Sequence, residues 1–115
     1  MALDIKINFD EDNNYWLVKP IGEVDIYTSP ELKDKISQAV GDKKADIVID
    51  GKELEYLDST GLGTLIGILK MIKDNNHKIY IRNLRANIRK LFDITELDKV
   101  FVIEEWTVWK VMFLN

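Results

Sequence analysis

The change of hydrophobic period along the chain constrains its fold more than any other feature. Leu3, Ile5, Ile7 and Phe9 alternate with Asp4, Lys6, Asn8 and Asp10, the period of two that marks a half-buried strand. Asp10 to Asn14 is a polar turn cluster. Alternation resumes from Tyr15 to Ile21, with Tyr15, Leu17 and Ile21 on one face and Trp16 and Val18 on the other, so the two strands read as an antiparallel hairpin. Pro20 lacks a backbone donor and is expected at an edge, a bulge or the strand end. Gly22-Glu23-Val24-Asp25 follows, and the period then lengthens to that of a helix. Thr28 with Glu31 offers a capping box, while Ser29 with Pro30 puts proline at the first helical position; the two starts compete. The helix runs to about Val40, with Leu32, Ile36, Ala39 and Val40 inward, and Gly41 is expected to stop it. Ala45 to Asp50 is a short apolar strand, buried on both faces as parallel strands are.

A second helix follows Ser59, with Leu62, Leu65, Ile66, Leu69 and Ile72 at helical spacing and a second apolar side at Thr64, Ile68 and Met71. Such a helix is either wedged deep in the fold or leaves part of its second face open to a partner. Gly63 and Gly67 each lower helix propensity by about 1 kcal/mol and suit a close backbone approach. Asp74 to His77 is a turn, Lys78 to Arg82 a strand around Ile79 and Ile81, and Ala86 to Phe92 a short helix with Ile88, Leu91 and Phe92 inward. Val100 to Ile103 is a further strand. In the tail, Trp106, Trp109 and Phe113 sit at helical spacing behind Glu104 and Glu105, and a helix carrying core aromatics is expected there. The order is a hairpin followed by α, β, α, β, α, β, α. With right-handed crossovers this gives a single α/β domain over 1–115: a mixed sheet, built from the N-terminal hairpin and parallel βα units, with about four helices packed against it.

Composition narrows the function. With 115 residues, 46% of them hydrophobic, the chain has enough material for one core. It has no apolar run of membrane-spanning length, and Met1 to Lys6 does not open a signal peptide. The absence of cysteine excludes disulfides and thiolate metal sites and fits a cytoplasmic protein. A formal charge of −4 argues against a mainly electrostatic partner, whether nucleic acid or anionic membrane. The basic group Lys78, Arg82, Arg85, Arg89 and Lys90 reads as a solvated helix face and strand end. One histidine and no acidic calcium loop leave no metal site or cofactor signalled, and no nucleotide-binding glycine motif is present.

The junction Asp58-Ser59-Thr60-Gly61-Leu62-Gly63 gathers an acid, two hydroxyls and two glycines at the mouth of a helix. Asp58 or Ser59 is a natural cap, which contributes about 1 kcal/mol. Ser59 as a nucleophile needs a base, and the only histidine, His77, lies near the far end of the same helix, on the order of 20 Å away. Ser59 as an acceptor of a phosphoryl group from another protein needs no base of its own. The phosphate would add about −1.5 to −2 charges where helix amides tolerate an anion, with Asp58 opposing part of the gain. Capping and phosphoryl acceptance both remain open at this point. Asp50, at the end of a buried strand, is placed like the acceptor of a receiver domain. The required acidic pair is missing, however, because Asp10, Glu11 and Asp12 lead into a hairpin turn.

Three motifs in order, Gly22-Glu23-Val24-Asp25 with Thr28-Ser29-Pro30-Glu31-Leu32, then Asp58-Ser59-Thr60-Gly61-Leu62-Gly63 after Ile47-Val48-Ile49-Asp50, then Leu91-Phe92-Asp93-Ile94-Thr95-Glu96-Leu97, resemble the STAS family of anti-sigma-factor antagonists over nearly the whole chain. The resemblance implies a regulatory binding module with no catalytic residues and no cofactor. It implies as partners an anti-sigma factor with serine kinase activity and a PP2C-type phosphatase, and neither nucleic acid nor membrane. Carried over by position, Ser59 is the phosphorylation site, with Asp25 in the loop beside it. Asp58, Thr60, Gly61, Leu62 and Gly63 form the helix mouth that the kinase reads. Thr60 stands where many members have a second serine. STAS domains also serve in sensory assemblies, so a small-molecule-binding module in a signalling complex is the alternative expectation.

Overall fold

The structure, a computed structural model, describes residues 2–104. Its sheet runs in the order β1 (Leu3–Asp10), β2 (Tyr15–Val24), β3 (Asp46–Asp50), β5 (Ile79–Arg82), β6 (Val102–Glu104), with β4 (Leu54–Leu57) pairing β2 off that path. β1 and β2 form the expected antiparallel hairpin, in register from Leu3 opposite Gly22 to Asp10 opposite Tyr15. The remaining pairings, of β3, β4, β5 and β6, are parallel. The crossovers through α1 (Ser29–Asp42), α2 (Ser59–Ile72) and α3 (Ala86–Ile94) all step along the sheet in one direction. Right-handed connections of that kind stack the helices on one face. Val18, Ile47, Ile49, Ile79 and Ile81 point into that face and are buried with Leu32, Ile36, Leu65, Ile68, Ile88 and Phe92. The fourth helix expected over Trp106, Trp109 and Phe113 lies outside the described residues.

Several local expectations are corrected. Leu54–Leu57 is a strand in its own right, with only its two end residues buried, too short for a periodic signal. Pro20 sits inside an interior strand, not at an edge or a strand end, two residues before the register shift between Gly22 and Glu23. Gly22, two residues on, donates its amide to the Glu53 carbonyl at 3.0 Å, so the Pro20 nitrogen faces the same side of β2. There β2 has left β3, last paired at Val18, and has not yet met β4 at Gly22. The donor that proline lacks has no partner to miss. Lys19 closes the gap through an ion pair to Glu53 at 2.9 Å, which raises the lysine's pKa and lowers the glutamate's.

Thr28 is the N-cap residue of α1, but its side chain makes no cap bond and no capping box forms. Its buried hydroxyl donates instead to the Glu23 carbonyl at 2.8 Å and accepts from the Asp25 amide at 2.9 Å. Gly41 does not stop α1, which continues to Asp42; the extended Lys43 ends it, and the Trp16 indole holds the Lys43 carbonyl at 2.8 Å. Within α2, Ile68 is fully buried rather than on a secondary face, whereas Ile66 and Leu69 are half-buried. The basic group is scattered: Arg82 pairs with Glu104 and lies over the Tyr15 ring, Arg89 pairs with Asp93, and Lys78 lies at the opposite end of β5 from Arg82.

Candidate functional site

Strands β2 and β4 run parallel and end side by side, Val24 opposite Leu57. Each passes within a few residues into a helix, so the first turns of α1 and α2 emerge together at the carboxyl ends of the strands, where open α/β sheets place their sites. Asp58 is the N-cap of α2: its backbone is extended, and its Oδ1 accepts from the Gly61 amide at 3.1 Å. That satisfies one of the amides for which the helix has no carbonyl. Asp25 does the equivalent work in the turn before α1, where Oδ1 accepts from the Tyr27 and Thr28 amides at 2.9 and 3.0 Å. Desolvation opposes the charge on Asp25, but these bonds outweigh it and hold its pKa below the usual carboxylate value.

Gly61 joins the two turns. A Cβ placed there would lie 2.3 Å from Leu57 Cδ1, 3.0 Å from Val24 Cγ1 and 3.2 Å from the Val24 carbonyl oxygen. Only glycine lets α2 start this close to the end of β2. Gly63 is different, because a Cβ there meets nothing within 4 Å. Leu62 is buried at 5% exposure and anchors the first turn in the core.

The residues predicted for the site therefore come together but divide by accessibility. Ser59, Thr60 and Gly63 are exposed, Asp25 and Asp58 half-buried, and Gly61 and Leu62 buried. The Ser59 hydroxyl makes no hydrogen bond to any described residue. His77 is not near it; its Nδ1 lies 3.2 Å from Asp46 Oδ1, beyond the far end of α2, a helix of 14 residues and hence about 21 Å. Asp50 is engaged in its own turn, accepting from the Lys52 amide and the Asn83 side chain at 3.1 Å each.

Sequence reasoning gave no site role to four residues of this region. Ile26 and Tyr27, in the Asp25 turn, are 63% and 87% exposed, and Tyr56, two residues before Asp58, is 45% exposed. The available signal was two large apolar residues in a stretch that already carried an Asx-type turn. Glu23 was also passed over: its Oε2 is buried and has no hydrogen-bond partner among the described residues.

Comparison with known proteins places this geometry in a family context. A model of the STAS domain matches residues 6–110. The anti-sigma-B factor antagonist of Staphylococcus aureus is 33% identical over 105 residues, covering 91% of this chain and 97% of its own. The crystal structure of an anti-sigma factor antagonist from Mycobacterium paratuberculosis superposes with a TM-score of 0.76 at 25% identity, covering 96% of this chain and 92% of that one. The Bacillus cell fate determinant SpoIIAA, solved in its phosphorylated form, shares the fold with a TM-score of 0.69 at 18% identity, over 95% of this chain and 96% of that one.

Proposed function

The chain belongs to the STAS domain family, and from that premise we propose that it is an anti-sigma-factor antagonist switched by phosphorylation of Ser59. In the unphosphorylated state it binds an anti-sigma factor that is also a serine kinase, and a sigma factor is released for transcription. The bound kinase transfers the γ-phosphoryl group of ATP to the Ser59 hydroxyl, the complex separates, and a PP2C-type phosphatase restores the binding form. The protein itself supplies no catalytic group, and the cycle belongs to the cytoplasm. No helix among the described residues is long and apolar enough to cross a membrane.

One observation carries this reading: a serine hydroxyl that is exposed and unengaged, at the first position of a helix whose start is fixed by an aspartate cap and a glycine joint. A partner's active site can reach it without disturbing the core. A phosphate there would gain from the helix amides and lose by proximity to Asp58, with a new charge of about −1.5 to −2. The fold survives such a change while the helix mouth, which already carries Asp25 and Asp58 near the exposed Ile26, Tyr27 and Tyr56, becomes strongly anionic. Apolar aromatic anchors of this kind dominate protein interfaces, and a charge set among them speeds dissociation. Mass spectrometry after incubation with the cognate kinase and ATP tests the assignment. Phosphate on Ser59 is expected. Ser59→Ala should bind the kinase without being modified, and Ser59→Asp should bind it at least about tenfold more weakly. Modification at another residue, or none, rules the proposal out.

A further inference from the structure

The opposite end of α2 carries a second feature, independent of the reading of Ser59. A pocket of about 490 Å³ opens between the last turns of α2, the turn into β5 and the approach to β6. Ile66, Leu69 and Val100 contribute its apolar side chains, and Lys70, Lys73 and Lys78 are cations among its lining. Asn76 and His77 complete it; the lining holds no carboxylate, and its one ring is the His77 imidazole. The three lysines are exposed and none is ion-paired to a described residue. His77 is held through Nδ1 by Asp46 Oδ1, which also accepts the Lys78 amide at 3.0 Å, so the His77 ring and the Lys78 backbone are fixed at the pocket's edge.

Lysines in the last turn of a helix complement its dipole, which accounts for Lys70 and Lys73 in part. It does not account for Lys78 on the neighbouring turn, nor for an apolar surface left open between the three cations. Val100 remains 51% exposed there. The size lies within the range of small-molecule sites. Concentrated positive charge beside an apolar surface selects an anionic head joined to an apolar body. No Phe, Tyr or Trp lines the pocket to give a base or flavin ring a broad platform, the His77 imidazole is tied to Asp46, and a saturated chain fits the Ile66, Leu69 and Val100 surface better.

We propose that this pocket binds a single-chain anionic amphiphile, its carboxylate or phosphate among Lys70, Lys73 and Lys78 and its alkyl chain along Ile66, Leu69 and Val100. The test is a titration of the full isotope-labelled chain, followed by amide and methyl NMR, with decanoate, with neutral 1-decanol, and with phosphatidylglycerol vesicles. Saturable shifts centred on Ile66, Leu69, Lys73, His77 and Val100 are expected with free decanoate. The K70Q/K73Q/K78Q variant changes only exposed side chains and should keep the parent's spectrum elsewhere. It should weaken decanoate about tenfold and leave 1-decanol unchanged. Val100→Gln should weaken both. Equal binding of decanoate by parent and triple variant overturns the proposal. So do shifts scattered through the core, binding to vesicles but not to free decanoate, and a pocket found filled by residues 105–115.

Discussion

Gly61 and Gly63 stand two positions apart in the same helical turn and should respond oppositely to the same substitution. Alanine at Gly61 pushes its Cβ against Leu57 and, more seriously, against the Val24 carbonyl, a backbone atom that cannot swing aside. A loss of about 1–3 kcal/mol is expected, as for overpacked cores. Alanine at Gly63 enters open space and should stabilise α2 by up to about 1 kcal/mol through helix propensity. Urea denaturation of both variants measures the pair; equal effects would mean that Gly61 is not the joint described above. Asp58→Ala should cost about 1 kcal/mol by leaving the Gly61 amide uncapped, and Asp58→Asn should recover most of it. Asp25 brings a pH dependence. Its folded pKa is depressed, so its contribution is complete above the unfolded value of about 3.9 and is lost as pH falls through the lower folded value. Acid titration should therefore destabilise the parent relative to Asp25→Asn below about pH 4.

At the scale of elements, the turn before α1 shows how hydrogen bonding overrides a local motif. Thr28 and Glu31 have capping-box spacing, yet the Thr28 hydroxyl is spent on Glu23 and Asp25, which ties the end of β2 to the start of α1. Thr28→Val keeps the shape and removes that tie. A loss of about 1–2 kcal/mol is expected, together with broadened amide signals in Asp25 to Tyr27, observable by NMR. The periods that define β1, β2, α1 and α2 were legible because burial along each follows from one element facing one layer, and β3 was legible as an unbroken apolar run buried on both faces. β4 was not legible, since four residues with two buried ends carry no period, and its existence depends on pairing with the distant Glu23 and Val24. Gly41 misled because glycine ends a helix only where the backbone turns left-handed; here the indole of Trp16, 27 residues away, fixes the end at Lys43. The helix mouth at Asp58 and Ser59 was readable as a unit. The exposure of Ile26, Tyr27 and Tyr56 was not, because apolar residues in sequence give no sign of whether another part of the chain covers them.

For the whole molecule, the decisive feature is the break in the partners of β2. Its lower half, Tyr15 to Val18, pairs with β3, itself flanked by β5, whereas its upper half, Gly22 to Val24, pairs with β4, whose only partner among the described residues is β2. Pro20 stands at the branch. The sheet is thus forked, and the tine that ends in Ser59 hangs by fewer backbone bonds than the stem. Local opening follows bond density and burial, so the two tines should differ in free energy of opening. In native-state hydrogen exchange, the amides joining β2 to β4 should exchange faster than those joining β3 to β5. A single common rate would show the sheet to open as one piece. If the tines separate, the serine turn can be drawn into a foreign active site by a fluctuation that leaves Ile47, Ile49, Ile79 and Ile81 packed, and the fold need not unravel for its hydroxyl to be handled.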